Sequence, residues 1–373
     1  MKTITCQAAI ADGQGKFSIE QIRVAGPETD EILVRIQAAG ICHTDYASLN
    51  WKRPLVMGHE GAGIVEEIGP QVTHVKPGER VVLNWAIPCG TCFQCRGGHP
   101  VLCEESKPAY VMQRSKGHAR LEGTTWRGQP IDRSFNLGTL SEFALVRAAA
   151  VSPIPATVSF TAACIVGCGV MTGFGSVMNV ARIKSGSSVA VLGCGGVGLN
   201  IIQAARLGGA KVIIAIDLHS PSLERAKKFG ATDLVQVKTG DGAVQELVQN
   251  LKDLTGGRGA DYAFEATSVP RLAFVPLMLV RNGGMALQVS GINEEVTVPM
   301  PQFMWNKTYV TPLYGDCVPA RDFPLIFDSY LERKLLLDEI ITKTYGLQDL
   351  GDAFEDMLSG KNAKGVILFQ EGG

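Results

Sequence analysis

The chain has 373 residues, of which 46% are hydrophobic and 19% are charged, and its formal net charge is −1. This length exceeds the size at which a single core stops growing, so we expect two domains, and the composition excludes a disordered chain. The near-zero charge excludes the basic field that non-specific nucleic-acid binding requires, and no polybasic run indicates a membrane surface.

Two uncharged stretches, residues 148–181 and 185–205, are candidates for membrane spans. Prolines interrupt the first and a glycine run interrupts the second, so we expect both to be buried segments of an α/β protein. Residues 1–10 carry one lysine and no long apolar core, which predicts neither a signal peptide nor an anchor. Ten cysteines, four of them crowded together, fit the reducing cytoplasm, and we expect that location.

The N-terminal part of the chain predicts short strands at residues 21–24, 32–38 and 63–68, which are rich in valine and isoleucine. Glycine and proline turns such as Gly26-Pro27 separate these strands. The pattern is typical of an irregular β domain rather than of a parallel sheet.

From about residue 189 strands alternate with helices. The pattern predicts strands at 188–192, 211–216 and 261–265, and helices at 221–229 and 243–254. Such alternation indicates an α/β fold with a parallel, doubly wound sheet of the Rossmann type. Beyond residue 315 the regularity fades, and the pattern predicts helices near 323–332 and 347–359 and a strand at 366–369.

Four cysteines have the spacing Cys-X2-Cys-X2-Cys-X7-Cys, at Cys89, Cys92, Cys95 and Cys103. Four thiolates on a tight loop can surround one tetrahedral zinc ion and leave no open position, which makes such a site structural rather than catalytic. An iron–sulfur cluster and a pair of disulfides are the alternatives. The spacing favours structural zinc in the loop 89–103.

A glycine-rich run follows a predicted strand and precedes a predicted helix, Gly193-Cys194-Gly195-Gly196-Val197-Gly198. Glycines here permit a tight turn and let backbone N–H groups approach a pyrophosphate at the helix N-terminus. Asp217 ends the next predicted strand, where its carboxylate can hydrogen-bond the ribose hydroxyls of a dinucleotide. A carboxylate repels the 2′-phosphate of NADP, so the run predicts NAD. A glycine turn without a ligand is the alternative.

A thiol, an imidazole, a hydroxyl and a carboxylate stand in consecutive positions of one segment, Gly40-Ile41-Cys42-His43-Thr44-Asp45. Cysteine and histidine suit zinc, and a neighbouring hydroxyl can pass a proton. His59, which has Gly58 before it and Gly61 after it, is the second candidate metal ligand. A lone histidine is more often a core residue. A catalytic zinc has three protein ligands. Of the two thiols before the glycine-rich run, Cys168 lies between glycines and is favoured over Cys164, which reads as helix packing.

Together these segments resemble the zinc-dependent medium-chain dehydrogenase/reductase family, in its alcohol dehydrogenase branch. The similarity runs from residues 40–45 to Ser359-Gly360-Lys361, and the stretch 122–143 is similar to the long-loop class I and class III members. The resemblance implies a GroES-like, mainly β catalytic domain at 1–169 and 314–373. It implies a Rossmann NAD-binding domain at 170–313.

The resemblance also implies residue roles. It assigns the catalytic zinc to three ligands, Cys42, His59 and Cys168, and the structural zinc to the four cysteines of the loop 89–103, which makes two zinc ions per chain. Thr44 matches the hydroxyl that relays the substrate proton. Asp45 matches a carboxylate that orients the histidine ligand, and Glu60 a carboxylate near the metal.

Four positions bear on the cofactor and on the proton path. His43 stands where an arginine often meets the pyrophosphate, and Lys364 matches a basic position that can reach a cofactor phosphate. Ser222 replaces a lysine that can assist Asp217 with the ribose. Ala47 replaces a histidine that completes the proton path in some relatives, so that path must end in the cofactor ribose, in water or in another group.

The resemblance implies an enzyme, an NAD-dependent zinc alcohol dehydrogenase that reversibly oxidises a primary alcohol to an aldehyde by hydride transfer to NAD. The apolar pocket candidates named below favour an aromatic or bulky aliphatic alcohol. One alternative is an S-(hydroxymethyl)glutathione dehydrogenase, in which Lys107 and Arg114 could contact the anionic substrate. A zinc-free reductase of the same superfamily and a zinc-ribbon binding module are the others.

The expected partner is a small-molecule alcohol or aldehyde, with no nucleic acid and no membrane, and the expected assembly is a homodimer through the nucleotide-binding domain or a tetramer. Several apolar side chains are candidates for lining the substrate pocket, namely Trp51, Phe93, Met112, Trp126, Phe135, Met300, Phe303, Met304 and Trp305. Each of them is equally compatible with an ordinary core or surface position.

Overall fold

The computed structural model describes residues 3–106 and 120–369. Its strands are β1 Thr3–Ala11, β2 Phe17–Ala25, β3 Glu31–Gly40, β4 Leu55–Val56, β5 Glu60–Ile68, β6 Arg80–Leu83, β7 Thr124–Trp126, β8 Gln129–Pro130, β9 Asp132–Arg133, β10 Phe143–Arg147, β11 Val151–Pro153, β12 Ser188–Leu192, β13 Val212–Asp217, β14 Asp233–Gln236, β15 Ala260–Glu265, β16 Val280–Gln288, β17 Thr308–Val310, β18 Ile341–Tyr345 and β19 Lys364–Leu368. Its α-helices are α1 His43–Ala47, α2 Phe93–Arg96, α3 Phe160–Ile165, α4 Met171–Gly175, α5 Gly196–Leu207, α6 Ser220–Phe229, α7 Ala243–Leu254, α8 Val275–Leu279, α9 Pro319–Leu331 and α10 Leu350–Leu358.

The chain divides into two compact units. Residues 1–168, 318–332 and 337–373 form the first, and residues 169–317 and 333–336 form the second. The predicted boundaries, with a Rossmann domain at 170–313, stay a prediction. Residues 169 and 314–317 group with the second unit, and so do residues 333–336. The reason is a pair of contacts with α5, in which Arg206 donates to the Lys334 carbonyl at 2.5 Å and Leu336 N donates to Gln203 Oε1 at 2.9 Å.

The first unit is built mainly from two sheets. One has six strands in the order β8-β7-β2-β1-β4-β9, and the other has the order β11-β6-β5-β3-β19-β18 with β10 also on β3. The predicted strands at 21–24, 32–38 and 63–68 lie within β2, β3 and β5. Register shifts interrupt the pairing of β3 with β5. The predicted mainly β domain is therefore confirmed.

The second unit contains one six-stranded parallel sheet in the order β14-β13-β12-β15-β16-β17. Helices α5 to α8 connect its strands and cover apolar positions such as Ile214 and Ala263, both 0% exposed. The strands are therefore largely buried, as is usual in parallel sheets. Strand β12 has β13 on one side and β15 on the other. The crevice at the carboxyl ends of such a pair is where open parallel sheets bind ligands. The predicted doubly wound sheet is confirmed.

Among the described residues one helical run, Phe160–Ala181, is long and apolar enough to cross a membrane. Of its most apolar window, 78% is buried inside the protein. That degree of burial is typical of a core helix, in agreement with the buried segment predicted there.

Candidate functional site

The first candidate site lies where strand β3 ends. Gly40, the last residue of β3, pairs with Glu60 on β5 and with Val366 on β19. A Cβ atom on Gly40 would lie 2.1 Å from Glu60 Oε2, so only glycine permits this approach. The sheet register thereby brings the reactive segment after β3 beside the start of β5.

Four side chains converge at this point. One ligand atom from each of Cys42, His59, Glu60 and Cys168 lies within 4.8 Å of all the others. Cys168 comes from a π-helical turn, Val166–Val170, that follows α3. His59 and Glu60 are buried, and Cys42 and Cys168 are partly buried. The structure thus brings together the three residues predicted as ligands of the catalytic zinc.

Asp45 fixes the orientation of the histidine. Because α1 begins after Cys42, the Asp45 carboxylate turns back, and its Oδ2 accepts a hydrogen bond from Cys42 N at 2.9 Å. Its Oδ1 lies 2.8 Å from His59 Nδ1, which leaves Nε2 as the ring nitrogen available to a metal. Burial is the largest single effect and lowers the pKa of His59, but the charges and hydrogen bonds of Asp45 and Cys42 together raise that pKa well above its usual value.

The two thiols of the cluster differ in acidity. Hydrogen bonds from Cys168 and from His59 lower the pKa of the Cys42 thiol well below its usual range. The same contact with Cys42 raises the pKa of Cys168. Of the two sulfurs, Cys42 is therefore the one that favours the thiolate, the form that binds metal.

Glu60 and Lys364 form a buried ion pair beside the cluster. Lys364 Nζ lies 2.6 Å from Glu60 Oε1, and the two side chains are 8% and 0% exposed. Burial raises the pKa of Glu60 to about 7 against the opposing effect of Lys364. Among the described residues Glu60 Oε2 is buried without a hydrogen-bond partner. Two thiols, an imidazole and an orphaned carboxylate oxygen are together a donor set that fits a zinc ion.

The remaining residues predicted around this cluster lie on or near α1. Thr44 Oγ1 is 3.7 Å from Cys42 Sγ, so its hydroxyl is beside the thiol. His43 and Ala47 are exposed at the two ends of the helix. The role of Lys364 at a cofactor phosphate stays a prediction, and in this structure its ammonium group is held by Glu60.

Aromatic rings cover one side of His59. Phe135 stacks on the imidazole with the ring centroids 4.6 Å apart, and Trp85 and Trp51 lie 5.3 Å and 6.0 Å from Phe135. Phe135 has a φ of 50°, a left-handed conformation that a bulky residue adopts only when its surroundings hold it there. Trp51 and Phe135 were predicted as pocket residues. Trp85 follows a buried strand, where nothing in the sequence separates it from ordinary core.

The other predicted pocket residues lie elsewhere. Several are exposed large side chains, namely Phe93, Met300, Met304 and Trp305. Trp126 stacks under the Arg127 guanidinium, and Phe303 packs on Tyr309. Met112 lies outside the described residues, as do Lys107 and Arg114.

The four cysteines of the loop 89–103 form a second donor cluster. The sulfur atoms of Cys89, Cys92, Cys95 and Cys103 all lie within 4.8 Å of one another. Cys89 Sγ accepts backbone hydrogen bonds from Thr91 at 3.4 Å and Cys92 at 3.3 Å. The Thr91 hydroxyl and these N–H groups lower the pKa of Cys89 to about 6. All ten cysteines are unpaired, which removes the alternative of two disulfides. Four sulfurs at this separation fit one tetrahedral zinc.

The glycine-rich run forms a turn between β12 and α5 in the second unit. Gly193 has a φ of 94°, and a Cβ on Gly198 would lie 1.9 Å from the Gly193 carbonyl oxygen, so both positions require glycine. Gly195 is exposed, with open space where a Cβ would stand. Gly196 and Val197 are partly exposed at the start of α5. Backbone N–H groups at such a helix start suit a phosphate.

Asp217, at the end of β13, is tied to this turn. Its Oδ2 accepts a hydrogen bond from Cys194 N at 2.8 Å, and its Oδ1 accepts one from His219 N at 2.9 Å. The carboxylate therefore lies at the turn, as the spacing predicted. It also stabilises the turn, a second role that the sequence did not indicate.

Two family models match the chain, the alcohol dehydrogenase GroES-like domain over residues 28–156 and the zinc-binding dehydrogenase over residues 196–328. The S-(hydroxymethyl)glutathione dehydrogenase of Paracoccus denitrificans is 32% identical over 380 residues, which cover 97% of this chain and 99% of the relative. The chain belongs to the zinc-dependent medium-chain alcohol dehydrogenase family. The family predicted from the motifs is confirmed.

Two further relatives agree with this family. The alcohol dehydrogenase class-3 of Drosophila melanogaster is 33% identical over 99% of this chain and 98% of its own. The crystal structure of benzyl alcohol dehydrogenase from Acinetobacter calcoaceticus matches with a TM-score of 0.88 at 29% identity, and the match covers 99% of this chain and 100% of that one. This zinc alcohol dehydrogenase is accordingly an oxidoreductase of CH–OH donors, and the zinc-ribbon binding module is wrong as its function.

One basic residue near the glycine turn, Arg225, was not predicted from the sequence. Ser222, which replaces a lysine, is buried and accepts a hydrogen bond from Arg225 Nη2 at 3.1 Å. Among the described residues Arg225 Nε is buried without a hydrogen-bond partner. Burial raises the pKa of Cys194 in the glycine turn to about 12, and the charge of Arg225 opposes that rise. The only sequence signal was the spacing of three residues, which puts Ser222 and Arg225 on one face of α6.

Proposed function

We propose that this enzyme oxidises a primary alcohol with an aromatic or bulky aliphatic group to the aldehyde, with NAD as hydride acceptor. The observation that carries the substrate class is the aromatic cluster beside His59, in which Phe135 stacks on the imidazole and Trp51 and Trp85 pack on Phe135. An aromatic wall beside the candidate metal ligand supplies apolar and edge-to-face contacts that a small alcohol cannot use.

Cys42, His59 and Cys168 would hold the catalytic zinc, and the loop 89–103 would hold a structural zinc, which gives two ions per chain. When bound, the catalytic zinc supplies a Lewis acid that lowers the pKa of the alcohol. Asp45 orients His59 from Nδ1, and Glu60 presents a carboxylate that Lys364 restrains. These contacts support a preformed donor set.

The chain's own groups would then move the proton and hold the cofactor. Thr44 accepts the alcohol proton at Oγ1 and passes it outward, and the exposed His43 faces the cofactor. Backbone N–H groups at the start of α5, after the glycine turn, hold the pyrophosphate, and Asp217 binds the ribose and excludes a 2′-phosphate. When bound, NAD supplies the nicotinamide ring that takes the hydride.

A specific observation also favours the glutathione adduct as substrate. The Paracoccus denitrificans relative that covers 97% of this chain is an S-(hydroxymethyl)glutathione dehydrogenase. That substrate carries carboxylates, whereas the wall at His59 is apolar. The two candidate functions therefore predict opposite preferences, one for an anionic substrate and the other for an uncharged substrate.

The deciding experiment compares rates of NADH formation with benzyl alcohol, hexanol, ethanol, and glutathione mixed with formaldehyde, on protein assayed for zinc. We expect kcat/KM to be highest for benzyl alcohol and to fall after chelation. The glutathione adduct exceeding every simple alcohol would select the second function. No turnover with any of the four, on protein holding two zinc ions, would contradict both.

We further propose a homodimer through the second unit and a cytoplasmic location. Strand β17 is the last strand of its sheet, and exposed Met300, Met304 and Trp305 lie in the segment before it. An open edge beside exposed apolar side chains fits a second copy of the chain. Trp305→Glu should yield monomers by sedimentation, while Phe93→Glu, an equally exposed control, should not. The ten unpaired cysteines support a reducing compartment.

A further inference from the structure

A buried carboxylate of the second unit has no part in the function proposed above. Glu265, the last residue of β15, is 0% exposed. Its Oε1 accepts hydrogen bonds from Thr267 N and Thr267 Oγ1, both at 2.5 Å, and its Oε2 accepts one from the Ser290 hydroxyl. Neutral donors thus satisfy a charge whose burial is costly. Such an arrangement calls for a reason beyond packing.

The position of Glu265 in the sheet supplies that reason. Glu265 pairs with Leu192 on β12 and with Gln288 on β16. Leu192 directly precedes Gly193, the first glycine of the turn. The carboxylate therefore lies at the carboxyl edge of the parallel sheet, between the strand that leads into the turn and the next strand across.

Thr267 carries the contact from Glu265 to the turn. A Cβ on Gly193 would lie 2.9 Å from Thr267 Cγ2 and 2.9 Å from the Ala266 carbonyl oxygen, so the loop after β15 packs directly on that glycine. The Thr267 hydroxyl donates to Glu265 and accepts from Val269 N at 3.1 Å. Both its methyl and its hydroxyl are therefore fixed.

Ser290 ties the loop after β16 into the same network. Its hydroxyl donates to Glu265 and accepts a hydrogen bond from Ser268 N at 3.0 Å. Ser268 has a φ of 59°, a left-handed conformation that a non-glycine residue keeps when its neighbours hold it. Glu265 thus joins two loops, and one of them rests on Gly193.

We propose that Glu265 is a positioning residue that acts through Thr267 and Ser290 to hold the glycine turn in its pyrophosphate-binding conformation. The ligand in this inference, NAD, rests on the proposed function. The contacts that link Glu265 to Gly193 are independent of that proposal. Glu265 itself touches no reacting atom in this scheme.

Two substitutions test the network without changing its shape. Thr267→Val removes the hydroxyl but keeps the methyl group on Gly193, and Ser290→Ala removes the second donor to Glu265. Ser188→Ala is the matched control, because Ser188 Oγ donates to the Asp261 carboxylate at 2.8 Å at the opposite end of the same pair of strands. All three variants lose one hydroxyl–carboxylate hydrogen bond.

Amide hydrogen exchange of the ligand-free protein gives the first measurement. We expect exchange at residues 193–198 to become about tenfold faster in Thr267→Val and in Ser290→Ala, since a hydrogen bond to a charged group is worth roughly that factor or more. Exchange there should stay unchanged in Ser188→Ala. Unchanged exchange in both test variants would overturn the inference whether or not the chain binds NAD.

The second measurement is the affinity for NADH, ADP-ribose and AMP, determined by calorimetry. In both test variants we expect the Kd of NADH and of ADP-ribose to rise about tenfold and the Kd of AMP, which lacks the pyrophosphate, to stay constant. An equal loss for AMP means general damage to the unit and contradicts a positioning role. No binding of any ligand by the unsubstituted enzyme would refute the NAD proposal, and the exchange data would still decide the role of Glu265.

Discussion

Lys364 Nζ lies 2.6 Å from Glu60 Oε1, and 304 positions of sequence separate these two buried charges. Removing Lys364 leaves the Glu60 carboxyl group buried without its counter-ion and hydrogen-bond donor, so we expect Lys364→Met to lower the free energy of unfolding by about 3–5 kcal/mol. The double variant Glu60→Gln/Lys364→Met should lose less than Lys364→Met alone. Urea unfolding of the unsubstituted protein, of Glu60→Gln, of Lys364→Met and of the double variant measures these differences.

Lys76→Met serves as the control for that pair. Lys76 is exposed and lies 3.8 Å from Glu79, so its loss should leave the unfolding midpoint unchanged. A double variant as unstable as the sum of its single variants would show that Lys364 and Glu60 do not act as a pair.

Asp45→Asn should weaken zinc binding at the cluster of Cys42, His59 and Cys168 by about 10–100-fold. The amide can still face His59 Nδ1, but its NH2 group cannot accept the hydrogen bond that Asp45 Oδ2 receives from Cys42 N. Competition with a chelating dye measures the affinity. Asp12→Asn, in a surface turn where Asp12 also accepts backbone N–H groups, should change nothing at the metal.

Thr44→Val should reduce kcat about 100-fold, whereas Thr44→Ser should retain most activity, because only the hydroxyl can carry the proton. Thr44 is 3.7 Å from Cys42 Sγ, so zinc content must be measured in both variants. Equal kcat values for valine and serine at full zinc content would remove Thr44 from the proton path.

Removal of zinc should expose the cysteines in an order set by their pKa. Thr91 lowers the pKa of Cys89 to about 6, so at pH 7 the free thiol is mostly thiolate and alkylates rapidly. Burial raises the pKa of Cys6 and of Cys194 to about 12, so both stay protonated and inert. Mass spectrometry after iodoacetamide treatment, with and without chelator, measures the order. Cys6 reacting as fast as Cys89 would contradict it.

Asp217→Asn should raise the KM of NAD about tenfold and reduce the preference for NAD over NADP. The carboxamide loses the charge that repels a 2′-phosphate, and its single oxygen can replace only one of the two carboxylate oxygens that accept from Cys194 N and His219 N. Steady-state kinetics with the two cofactors measures the change. Asp233→Asn, on the neighbouring strand β14, should leave both constants unchanged, and an unaltered preference in Asp217→Asn would exclude a ribose contact.

The local parts of both sites were predictable because neighbouring residues in sequence supply them. The four cysteines of the loop 89–103 and the glycine run at 193–198 carry their spacing with them, and the buried strands of the parallel sheet stood out as valine- and isoleucine-rich segments. Contacts that depend on sheet register could not be predicted. The pairing of Lys364 with Glu60 arises because β19 and β5 flank β3.

The residues that the sequence missed share a physical cause. Trp85 packs on Phe135, and the charge of Arg225 acts on Cys194 in the glycine turn, yet each residue has an ordinary local context in the sequence. Glu265 looked like the end of a strand, although its carboxylate holds two loops together. A single sequence reports periodicity and spacing, and it does not report which side chains a fold brings face to face.

The pairing of β19 with β3 also determines when, during synthesis of the chain, the segment after β3 gains all of its neighbours. Val366 pairs with Gly40, and the Ile41 N–H donates to the Gly365 carbonyl at 3.0 Å. The end of β3 that leads to Cys42 has β5 on one side, and it gains its second neighbour only after residue 368 has left the ribosome. Until then Glu60 lacks its lysine and the segment after β3 lacks one wall. The cysteine loop 89–103 is therefore synthesised long before the cluster of Cys42, His59 and Cys168 gains the wall that β19 supplies.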